Sequence, residues 1–96
     1  MAHYLIAQIE IGDREEYAKY EAGFMDIFLT YKGKILSVEE NEHLLEGQWP
    51  FTRTVLIEFP SQEDALEWYN SKEYQVLVQH RLAASTANIV IVSGLD

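Results

Sequence analysis

Residues 45–75 read LEGQWPFTRTVLIEFPSQEDALEWYNSKEYQ. Within it, Thr52 to Phe59 alternates. Val55, Ile57 and Phe59 share one face with Arg53, the period-two pattern of a strand. Pro60 ends that strand, because proline has no N–H to give a ladder. Ser61 with Asp64 three residues later is a helix N-cap signal. The short helix that follows carries Ala65, Leu66, Trp68 and Tyr69. Asn70-Ser71 breaks the run, and Ser71 caps again. Tyr74, Leu77, Val78, Arg81, Leu82 and Ser85 then recur at helical spacing. Upstream, Leu44–Trp49 is expected to return as a third strand, which Pro50 interrupts before Thr52 resumes the pattern.

Toward the N-terminus, His3 to Ile11 alternates as well. Leu5, Ala7, Ile9 and Ile11 fall on one face, and Tyr4, Ile6, Gln8 and Glu10 on the other. Gly12 stops the strand. Asp13 and Glu16 resemble a capping box, opening a helix of about five turns whose stripe is Tyr17, Tyr20, Phe24, Ile27, Phe28 and Tyr31. Lys32 suits its last turn, and Gly33 the left-handed position beyond it. Lys34–Glu40 reads as a second strand and 41–43 as a turn. Ala87–Ser93 is a last strand, apolar on both faces and so expected at the centre of the sheet.

The order β-α-β-β-α-β is the split βαβ of ferredoxin-like folds. It predicts an α+β sandwich, one domain over residues 1–96, with a four-stranded antiparallel sheet and helices on one face. The other face is then bare, yet Tyr4, Ile6, Val90 and Val92 make it apolar. Large bare apolar patches are rare on monomers. A homodimer packed sheet to sheet is therefore expected.

Composition narrows the partners. Seven basic residues face sixteen acids, for a net charge of −9. Binding phosphate backbones or anionic lipid needs the opposite balance, so neither nucleic acid nor a membrane surface is an expected partner. No apolar run approaches the roughly 20 residues of a membrane span. The first residues read as a strand rather than a signal peptide. With no cysteine, no disulfide or thiolate zinc site can form, which fits the cytoplasm.

The charged residues that draw attention are Glu46, Arg53 and Arg81. Arg81 follows Tyr74 by seven residues and Leu77 by four, which turns it toward the core-facing stripe. A buried guanidinium needs a partner, and Glu46 is a plausible one for either arginine. Such residues make either a structural ion pair or a cleft for a carboxylate, which the arginine fork grips at two points. Tyr17, Tyr20, Trp68, Tyr69 and Tyr74 are core or pocket wall. Candidate ligand-binding residues are thus Glu46, Arg53, Tyr69, Tyr74 and Arg81. His3, His43 and His80 lack metal-ligand spacing, and no phosphate loop or dinucleotide glycine pattern occurs. No metal and no cofactor are expected.

LEGQWP, RTVLIEFPSQEDALEWYNSKEYQ and LVQHR (Leu77–Arg81) resemble the short bacterial proteins grouped as domain of unknown function 1330. The resemblance runs from Tyr4 to Gly94. It implies a ferredoxin-like dimer of the dimeric α/β-barrel superfamily and no particular activity. Relatives in that superfamily include small monooxygenases, haem-degrading enzymes and lactone isomerases. Three functional classes follow: a binding domain for a small organic or carboxylate-bearing ligand, a cofactor-independent monooxygenase or isomerase, and a structural dimer without a ligand.

Overall fold

The computed structural model describes residues 1–95. Its elements are β1 (His3–Ile11), α1 (Arg14–Phe28), β2 (Lys34–Glu39), β3 (Arg53–Phe59), α2 (Gln62–Tyr69), α3 (Lys72–Ala84) and β4 (Ser85–Ser93). The strands form one antiparallel sheet in the order β2-β3-β1-β4. This is the ferredoxin-like α+β arrangement, with the second crossover helix split in two at Asn70-Ser71.

Local chemistry explains the helix starts. Asp13 accepts from the Glu16 N–H at 3.1 Å, Ser61 from Asp64 at 3.1 Å, and Ser71 from Tyr74 at 3.2 Å. Each satisfies one of the free N–H groups at a helix start. The box at Asp13 is only half built. The Asp13 N–H donates to the Ala84 carbonyl at 3.0 Å instead, tying the start of α1 to the end of α3.

Register places the core. Leu5 lies opposite Ile57 and Ile91, and Ala7 opposite Val55 and Ile89. These side chains face the helices, where Tyr20, Phe28, Trp68, Tyr74 and Val78 bury against them. The Trp68 ring stands edge-on to Phe28 at 5.5 Å and stacks near Phe59 at 5.7 Å. Such aromatic pairs supply most of a small core's apolar area.

The opposite sheet face is apolar at its centre. Ile6 lies across from Leu56 and Val90, and Tyr4 from Val92. Among the described residues no helix covers it: Val90 is 54% exposed and Val92 42%.

Four sequence expectations change. β4 is an edge strand, not a central one. Its second apolar face belongs to the uncovered side of the sheet rather than to a second neighbour. Leu44–Trp49 is not a strand. The connection from β2 to β3 is a 13-residue loop in which Gly47 takes a left-handed φ of 76° that breaks any extended run. Helix α1 stops at Phe28, a turn short of Tyr31. Gly33 does not take the left-handed position, since Gly47 is the one glycine of positive φ among the described residues. Gly33 instead gives room: a Cβ there would lie 2.5 Å from the Phe28 ring and 2.7 Å from Phe59.

Candidate functional site

A cavity of about 210 Å³ lies between the helices and the inner face of the sheet. Its sheet wall includes Leu5, Ala7, Val55 and Ile57. Its helix wall is aromatic, with Tyr17, Tyr20, Trp68, Tyr69 and Tyr74. The lining residues that reach solvent are Glu21 and Met25 of α1 and Val38 of β2, so the mouth lies where α1 passes β2. An apolar engineered cavity of about 150 Å³ admits benzene, so this space holds one substituted ring or a short branched chain.

Four of the five candidate residues meet here: Arg53, Tyr69, Tyr74 and Arg81 all line the cavity. Glu46 does not. It is exposed in the β2–β3 loop and lines a separate open groove with Glu42, His43, Leu44, Leu45, Trp49 and Thr54. It pairs with neither arginine. The loop's own polar chain runs from Trp49 Nε1 to Thr54 Oγ1 at 2.8 Å and on to Glu42 at 2.6 Å.

Arg53 finds other acids. Its guanidinium donates to Glu40 at 3.0 and 3.2 Å, to Glu21 at 3.0 Å and to the Tyr17 hydroxyl at 3.4 Å. It also stands 5.3 Å from the centre of the Tyr17 ring. Burial opposes its charge, but the bonds to Tyr17 and Glu21 outweigh it and its pKa is raised. Glu40 is shared with Arg14 at 2.7 Å, and chiefly that bond holds its carboxyl below the usual range. No local pattern marks these partners: Glu39 pairs with Thr54, and that register brings Glu40, just past β2, level with Arg53.

Arg81 sits differently. It is 3% exposed, and among the described residues no acid pairs with it. Its Nε is buried without a partner, as is the Nε1 of Trp68. Its nearest company is phenolic. The guanidinium lies 5.8 Å from the centre of the Tyr20 ring and beside the Tyr74 hydroxyl. Burial lowers its pKa and the two tyrosines more than restore it, so it remains a cation.

The Tyr20 and Tyr74 hydroxyls share one hydrogen bond of 2.6 Å. Burial raises both phenols above the ordinary tyrosine value. Tyr17 is raised for the same reason, against the pull of Arg53. At neutral pH these groups are donors, not bases. His80 lies outside the cavity and contacts Glu16 at 2.5 Å. Among the described residues no group of three His, Cys, Asp or Glu is arranged to hold a metal, and no helix is long and apolar enough to cross a membrane.

Comparison with solved structures supports the fold. A protein of unknown function from Rhodopseudomonas palustris, RPA0582, superposes with a TM-score of 0.82 at 19% identity, over 99% of this chain and 83% of that one. A dimeric ferredoxin-like protein of unknown function from Thermobifida fusca gives 0.68 at 8% identity, over 97% and 91%. SnoaB, a cofactor-independent oxygenase from Streptomyces nogalater, gives 0.67 at 12% identity, over 99% and 94%. No curated protein matches the chain. The family model described as Domain of unknown function (DUF1330) matches residues 2–95, and the chain belongs to that family.

Proposed function

We propose that this protein is a homodimeric binding domain that takes a small organic ligand, suited to one bearing a carboxylate, between its sheet and its helices. The observation that carries this reading is the cavity, with two arginines, four tyrosines and one carboxylate, Glu21, in a mainly apolar lining. Binding sites commonly combine apolar walls with a few convergent polar groups. The homodimer rests on the uncovered Ile6–Leu56–Val90 face and on dimeric relatives of the same fold.

An enzyme of the oxygenase or isomerase kind is the second reading, and the donors around Arg81 favour it, since they would steady an enolate oxygen. Against it stands the lack of a base. The phenols hold their protons, and the one carboxylate of the lining, Glu21, is at the mouth and engaged by Arg53. Binding without turnover is therefore preferred.

Ligand-observed NMR with a panel of single-ring compounds tests the cavity. Binding that is lost when Val55→Trp fills the space supports the reading, and no binding at millimolar concentration contradicts it. Light scattering tests the dimer: twice the chain mass is expected, falling to one on Ile6→Glu, and a monomeric native protein contradicts it.

A further inference from the structure

We propose that Arg81, rather than Arg53, is the anion seat of this cavity, and that the ligand is a monoanion with one apolar ring or branched chain, entering charge first. The inference rests on the cavity reading above and adds the ligand's charge, orientation and chemical class.

The argument starts from what each guanidinium already has. Arg53 is neutralised in place by Glu21 and Glu40, and also donates to Tyr17. An incoming anion there would have to displace two carboxylates. Arg81 has no carboxylate among the described residues and is almost wholly buried. An unpaired cation in such surroundings is strongly disfavoured, and an anion delivered by a ligand removes the imbalance.

The surplus of donors points the same way. Two phenol protons serve Tyr20 and Tyr74, and their mutual bond uses one. One proton remains to donate, and the Nε of Arg81 and the Nε1 of Trp68 are likewise buried without a partner. All four residues, Tyr20, Tyr74, Arg81 and Trp68, line the same cavity. A buried surface that offers donors without matching acceptors calls for a ligand oxygen that accepts several bonds, as a carboxylate does.

Charge sets the valence. Arg53 is matched by its own acids, so the one positive charge of the lining left without a counter-charge among the described residues is that of Arg81. A second negative charge would meet Glu21 at the mouth and the protein's overall net charge of −9. The apolar body then lies toward Met25 and Val38, where the lining reaches solvent.

The test is calorimetric titration of the whole protein with benzoate, benzyl alcohol and phenyl phosphate at pH 7.5. Benzoate is expected to bind about tenfold or more tighter than either analogue, the worth of a charge-assisted hydrogen bond set against a neutral or doubly charged head. Arg81→Met should remove the preference for benzoate over benzyl alcohol, and Arg53→Met should keep it. If Arg81→Met does not fold, Arg81→Lys serves, with benzoate weakened because the fork is lost. Equal affinity for benzoate and benzyl alcohol in the native protein overturns the anion seat while the cavity reading stands. A preference that survives Arg81→Met, or disappears with Arg53→Met, overturns it too. Failure of all three compounds to bind overturns the cavity reading and this inference with it.

Discussion

Two arginines line one cavity and live in opposite surroundings. At the mouth, Arg53 is held by two carboxylates and a phenol, and its charge is spent on joining α1, β3 and the end of β2. Deep inside, Arg81 has phenols and an aromatic face but no acid among the described residues. Burial alone does not separate them, since both reach into the same apolar space. The difference is where the counter-charge comes from: the chain supplies it at the mouth, and a ligand must bring it inside.

The largest effect belongs to the aromatic helix wall of the cavity that both arginines line. Trp68→Ala should cost about 3–5 kcal/mol, because the ring is 2% exposed and packs on Phe28, Phe59 and Tyr74. Urea denaturation reads this directly. A loss below about 1 kcal/mol would mean that the wall collapses around the gap.

The arginines themselves should diverge next. In the ligand-free protein, Arg81→Met removes an unpaired charge and should leave stability unchanged or raise it by about 1–4 kcal/mol. Arg53→Met leaves Glu21 and Glu40 without their shared cation, and should lower stability by about 1–2 kcal/mol. The same losses at both positions, in matched urea titrations, would erase the contrast.

Smaller still is Glu21→Gln. Its side chain is half exposed, and the bond to Arg53 should be worth under about 1 kcal/mol. Last comes the acid side of the pH profile. Glu40 has its folded pKa lowered by Arg14 and then by Arg53. Its contribution is therefore complete above the carboxylate's unfolded pKa and is lost as pH falls through the folded one. Melting temperatures taken downward from pH 6 should fall, and fall less in Glu40→Gln. An identical slope in both proteins would remove Glu40 from the account.

The sequence made much of this geometry readable. The three caps at Asp13, Ser61 and Ser71 form as side-chain chemistry predicts, because a cap is a contact within four residues. Arg81 turns inward as its spacing from Tyr74 and Leu77 requires, since helical phase is local too. What failed depends on distant parts of the chain. LLEGQW has the composition of a strand but pairs with no strand among the described residues, and Gly47 turns it away. The two apolar faces of β4 mark an exposed surface rather than a central position. Glu46 reaches neither arginine, because β2 register and a helix face bring Glu40 and Glu21 to Arg53 instead.

The contrast between the arginines can be watched atom by atom. In protein labelled with ¹⁵N arginine, the side-chain Nε–H signals of Arg53 and Arg81 report on each guanidinium separately. On adding benzoate, the Arg81 signal should move and saturate while that of Arg53 stays in place. Movement of Arg53 alone, or no saturable change at Arg81, would contradict the account.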